Sequence, residues 1–158
     1  GEQRALYSLV LAAQEAAISS VQPGHTAEDV HGMAVRVLVE GLVDLGLLLG
    51  DVDGLIEQGA YRHLYMHRTG HWLGLDVHDV GAYRLGDHPA PLEPGMVLTV
   101  EPGLYISDRL AVPEGQPEID ERWKGIGIRI EDDVAVTGSG HEVLTAAAQK
   151  SVAAMERR

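Results

Sequence analysis

Three blocks decide how this chain reads: His67-Arg68-Thr69-Gly70-His71-Trp72-Leu73-Gly74-Leu75-Asp76-Val77-His78-Asp79, then Glu93-Pro94-Gly95-Met96-Val97-Leu98-Thr99-Val100-Glu101-Pro102-Gly103, then Gly125-Ile126-Gly127-Ile128-Arg129-Ile130-Glu131-Asp132-Asp133. Each sets a His or a Glu in or beside an apolar run. Side chains of a strand alternate between two faces. In the third block Ile126, Ile128 and Ile130 therefore share one face, and Gly127, Arg129 and Glu131 share the other. In the second, Val97 to Val100 reads as a buried strand that Pro102-Gly103 breaks directly after Glu101. A buried Glu calls for a partner or a metal, and a strand end is where a cleft can form. The same residues also fit a blander arrangement, with Arg129 and Glu131 on a solvated face and Glu101 in an exposed turn. His63, His67, His71 and His78 cluster in and just before the first block. A flat strand would point His71 and His78 opposite ways, so a bend at Gly74 is expected to bring both to one cleft.

Around these blocks the composition narrows the chemistry. With 158 residues the chain is long enough to bury one domain core. Its formal net charge of -12 argues against a nucleic-acid or anionic-membrane partner. There is no cysteine, so a metal must be held by His, Asp or Glu, which favours a hard or borderline ion. No apolar run reaches the roughly 18 residues of a membrane span; Leu42 to Leu49 is interrupted by Asp44 and Gly46. No signal peptide is visible, which makes a cytoplasmic location the expectation. The opening Gly1-Glu2-Gln3-Arg4 lacks an initiator Met and reads as the interior of a longer protein.

Helical spacing of Leu6, Leu9, Val10, Ala13, Ala16 and Ala17 predicts a helix over Glu2 to Val21, ended by Pro23-Gly24. Thr26, with Glu28 and Asp29 behind it, predicts the start of a second helix running to about Gly46. Its expected buried face is Val30, Met33, Ala34, Val37, Leu38 and Leu42. A short helical turn is expected over Asp53 to Gly59. Strand-like runs follow at Trp72 to Val77, Val97 to Val100, Leu104 to Ile106, Ile126 to Ile130 and Val134 to Val136. Residues 107–124 read as a polar loop or loose hairpin, and Thr145 to Arg157 as a closing helix. Helices followed by antiparallel strands predict an α+β domain with helices covering one sheet face.

The three blocks resemble the C-terminal part of the catalytic domain of Xaa-Pro aminopeptidases (aminopeptidase P), in the pita-bread metallopeptidase family M24 with prolidase and methionine aminopeptidase. The likeness is carried by residues 67–81, 92–105 and 125–133, with a weaker helical match over nearly all of residues 1–158. It implies a partial pita-bread fold, with helices packed on a curved antiparallel sheet. It also implies two divalent metal ions, Mn²⁺ being expected and Co²⁺ or Zn²⁺ possible. Their ligands in the family are two Asp, one His and two Glu. The likeness places the His at His71 and the Glu residues at Glu101 and Glu131, Glu131 bridging both ions. Glu101 is further expected to act as general base. His78 resembles the histidine that contacts the substrate carbonyl and assists proton transfer, His67 the histidine at the mouth of the site, and Arg129 the arginine beside the bridging Glu.

The activity so implied is release of the N-terminal residue from peptides with proline at the second position, by metal-activated water. The alternatives are a prolidase limited to Xaa-Pro dipeptides, or an inactive peptide-binding fragment. Family members often carry an arginine in the loop before the second block; here only Arg84 is available, which counts against prolidase. The family's two Asp ligands lie on a hairpin ahead of the first helix, and an N-terminal non-catalytic domain precedes that. The expected partners are therefore a peptide substrate, the missing N-terminal part of the same protein, and further copies in a homo-oligomer.

Overall fold

Helix α1 (Glu2–Ser19) buries Leu6, Val10, Ala13, Gln14, Ala17 and Ile18, a stripe at helical spacing that needs an apolar partner. Helix α2 (Ala27–Asp44) supplies it. Thr26 starts α2: its hydroxyl accepts from the Asp29 amide at 3.1 Å, and the Asp29 carboxylate accepts from the Thr26 amide at 2.8 Å. This reciprocal box satisfies two otherwise unpaired amides. Gly41 lies so close to the Leu9 side chain that any Cβ would strike it, so a glycine there sets how closely α1 and α2 approach. The structure is a computed structural model and describes residues 1–157.

The strands form three antiparallel groups. Strands β1 (Arg84–Leu85) and β2 (His88–Pro89) make a minimal hairpin. Strand β3 (Val97–Val100) pairs with β6 (Asp132–Val136), which pairs with β7 (His141–Val143). Strand β4 (Gly103–Ile106) pairs with β5 (Ile126–Arg129). These last two ladders are continuous in sequence. Val100 lies opposite Asp132 and Gly103 opposite Arg129, so the short links Glu101-Pro102 and Ile130-Glu131 face each other at one seam. The two helices cover both sides of it. Leu6, Val10, Leu38 and Leu42 pack with Leu104, Ile106, Ile128 and Trp123; Ala17, Val30 and Ala34 pack with Leu98, Val100 and Val134.

The α+β class holds, and four local expectations change. The stretch Trp72 to Val77 is not a strand. Trp72 makes a single bridge to Leu98 and the chain then loops out, closed by the Asp79 amide donating to the Trp72 carbonyl at 3.0 Å. Leu75, Val77 and Val80 are exposed, so their apolar character marks no ladder. The closing helix over Thr145 to Arg157 reduces to a single helical turn, Val152–Met155. The Thr145 hydroxyl instead accepts from the Asp133 amide and donates to the Asp132 carboxylate, which holds the chain in turns. On α2, Met33 is 42% exposed, and Val35 and Val39 are buried rather than Met33 and Val37. The loop over 107–124 holds a 3₁₀ turn at Glu121–Trp123 and sends Ile119 and Trp123 into the core.

Candidate metal centre

The seam places Glu101 and Glu131 side by side, and the 67–71 segment brings His71 to them. That segment runs along the free edge of β3. The amides of Thr99 and Glu101 donate to the carbonyls of His71 and Thr69 at 2.9 and 2.6 Å, and the Leu73 amide donates to Val97. Gly70 makes this possible, because a Cβ there would collide with the Thr99 carbonyl. One donor atom each from His71, Glu101 and Glu131 lies within 4.8 Å of the others.

Each donor is held in place. The Thr99 hydroxyl and an Arg129 N–H each donate to Glu101, on separate oxygens, at 3.0 Å. His71 Nδ1 lies 3.0 Å from the Trp72 carbonyl. A carbonyl only accepts, so Nδ1 carries the proton and Nε2, 3.3 Å from a Glu101 oxygen, keeps its lone pair for the site. Partial loss of hydration, and then the charge of Glu101, raise the Glu131 carboxyl above its ordinary range. Arg129 offsets part of this charge. One imidazole and two mutually repelling carboxylates suit a divalent cation, so the donor set fits such an ion.

The remaining expected residues surround the same cavity, of about 580 Å³, which His67, His71, His78, Glu101 and Arg129 all line. The His78 ring lies 4.2 Å from that of His71, across the loop that carries Gly74. His67 Nδ1 donates to the Arg68 carbonyl at 2.7 Å, which leaves Nε2 to accept from the Tyr105 hydroxyl at 2.8 Å. Arg129 contacts Glu101 directly and influences Glu131 only through its charge.

Sequence reasoning missed the residues that brace this cavity. Tyr65 O–H bonds to the Thr69 hydroxyl at 2.7 Å, and that hydroxyl bonds to His31 Nδ1 at 2.8 Å. The Thr69 amide also donates to His31 Nδ1, so this nitrogen is unprotonated. Burial first, and then the charges of Arg68, His67 and Arg62, lower the His31 pKa to about 4. His31 sits on α2, 38 positions from Thr69, and no local pattern links the two.

The model of metallopeptidase family M24 matches residues 1–138. The chain belongs to metallopeptidase family M24. Among curated relatives, an Xaa-Pro aminopeptidase of Haemophilus influenzae is 53% identical over 98% of this chain and 34% of its own length. The human Xaa-Pro dipeptidase is 40% identical over 91% of this chain and 34% of its own length. Among solved structures, the Pseudomonas aeruginosa aminopeptidase PepP superposes with a TM-score of 0.92 at 53% identity, covering 99% of this chain and 34% of that one. The likeness supports the pita-bread M24 fold. The chain spans about a third of the length of the relatives it matches.

Proposed function

We propose that this M24 chain forms the distal half of the catalytic centre of a metal-dependent aminopeptidase that releases the residue preceding proline at a peptide N-terminus. The convergence of His71, Glu101 and Glu131 in a cavity shared with His67, His78 and Arg129 carries the reading. In this reading His71, Glu101 and Glu131 hold two divalent cations, Mn²⁺ before Co²⁺ or Zn²⁺, together with two Asp from the rest of the same polypeptide. When bound, such ions supply a water of lowered pKa and polarise the scissile carbonyl. Glu101 takes the proton of the attacking water, and the Thr99 and Arg129 hydrogen bonds, one to each oxygen, keep the carboxylate oriented meanwhile. His78 donates to the carbonyl oxygen as charge develops there. His67, fixed by Tyr105, lines the entrance. An oligomeric enzyme and a cytoplasmic location belong to the same reading.

A prolidase is the second reading, supported by the 40% identity to the human dipeptidase; the higher identity to an aminopeptidase favours the first. The test is hydrolysis of an Ala-Pro-Gln peptide and an Ala-Pro dipeptide by the full-length protein with added Mn²⁺. Cleavage of the tripeptide between Ala and Pro is expected. It should vanish in Glu131→Ala and fall about 10- to 100-fold in Arg129→Ala, which loosens a ligand without removing one. Cleavage of the dipeptide alone would favour prolidase; no cleavage, or a fully active Glu131→Ala, would reject both.

A further inference from the structure

Most cations of this acidic chain are spoken for. Arg4, Arg36, Arg84, Arg122, Lys124, Arg129 and Lys150 each face a carboxylate. Arg62 and Arg68 are exposed and make no ion pair among the described residues. Both line a second cavity of about 350 Å³, floored by Tyr61 and Tyr65, with no Asp or Glu in its wall. His67 and Arg68 line this cavity and the catalytic one alike, so the two adjoin. The field is felt locally: Arg68, His67 and Arg62 all act to keep the His31 proton off. With a net charge of -12, an unpaired basic recess beside the site is the opposite of what the composition alone would place there.

Resting on the aminopeptidase reading, we infer that Arg62 and Arg68 form a subsite for a carboxylate of the substrate on the C-terminal side of the scissile bond. Two guanidiniums with no ion-pair partner among the described residues can take a carboxylate, bidentately and without first breaking an internal pair. The polarity of the peptide follows from charge. The substrate's N-terminal ammonium is repelled by this recess, so the leaving side must face it. The carboxylate can be an acidic side chain or the peptide's own terminus.

The experiment compares Ala-Pro-Gln amide, Ala-Pro-Glu amide and Ala-Pro-Gln with a free C-terminus, using the full-length protein, Arg62→Ala, Arg68→Ala and Arg68→Lys. Binding of the product dipeptides Pro-Gln amide, Pro-Glu amide and Pro-Gln is followed by calorimetry. One or both carboxylate-bearing peptides should be preferred over the neutral amide, about three- to tenfold in kcat/KM and in affinity. Preference for Ala-Pro-Glu amide identifies a side-chain carboxylate, and preference for free Ala-Pro-Gln the terminal one. The preference should shrink with added salt, disappear in Arg68→Ala, weaken in Arg62→Ala and be only partly kept in Arg68→Lys, which retains the charge but not the bidentate fork. Equal handling of all three peptides, or a preference that survives Arg68→Ala, overturns the subsite and leaves the aminopeptidase reading standing. Failure to cleave even the neutral amide sinks that reading and the subsite with it.

Discussion

Gly70 shows how much of the site rests on one missing methyl group. A Cβ there would strike the Thr99 carbonyl, on the β3 edge that the 69–73 segment follows beside the candidate metal centre. In Gly70→Ala that segment must move away, breaking the Glu101-to-Thr69 hydrogen bond and shifting His71. The expected cost is about 1–3 kcal/mol, read from the urea midpoint, with a parallel loss of metal affinity. His31 makes a second prediction at this scale. The unfolded chain takes up this proton from about pH 6.5 down, whereas the folded chain takes it up only near pH 4. Between those values the unfolded state binds more protons, so stability falls as pH falls, by at most about 1.4 kcal/mol per unit. His31→Gln should flatten the stability profile over this window; an unchanged slope would remove His31 as its source. Both residues were silent in the sequence, since a Gly inside a motif and a His on a helix acquire meaning only through a distant contact.

At the scale of elements, the C-terminal segment is tied down by a buried polar knot rather than by an apolar face. Asp132 is 1% exposed and accepts from Gln14 on α1, Thr145 and Lys150, while Lys150 also donates to Gln14 at 2.8 Å. Burial opposes the charge of Asp132, but these three hydrogen bonds outweigh it and hold the carboxyl below its ordinary range. Lys150→Met leaves that carboxylate without its counter-charge and should cost about 1–3 kcal/mol. Adding Asp132→Leu should recover part of the loss; a purely additive double mutant would deny the coupling. The knot also explains what was legible. Helices α1 and α2 follow from their stripes and the Thr26 cap, and β3 to β6 from their apolar runs. Strand β7 and the turns after it do not, because Thr145 and Lys150 are positioned by Asp132 and not by any period of their own. His71, Glu101 and Glu131 stood out because each lies in or beside an apolar run.

Over the whole molecule, the fold concentrates negative charge where two ladders meet. Glu101 and Glu131 belong to links that cross from one sheet group to the next, and helices α1 and α2 pack against both groups, with a separate apolar cluster on each. This closeness of like charges is unfavourable without a cation and adds to the loss of hydration that chiefly raises the Glu131 carboxyl; it becomes favourable with a cation bound. Two effects of opposite sign should therefore come from a single substitution. Mn²⁺ should raise the thermal midpoint, with a stabilisation that grows with ion concentration to about 2.7 kcal/mol at a hundredfold excess over Kd. Glu131→Gln should raise the midpoint of the metal-free protein slightly, because one of two like charges is gone, while removing most of the rise that Mn²⁺ causes. Differential scanning calorimetry with and without Mn²⁺ reads both. A variant that is less stable without metal, or that keeps the full metal-induced shift, would mean that Glu131 does not share a cation with His71 and Glu101.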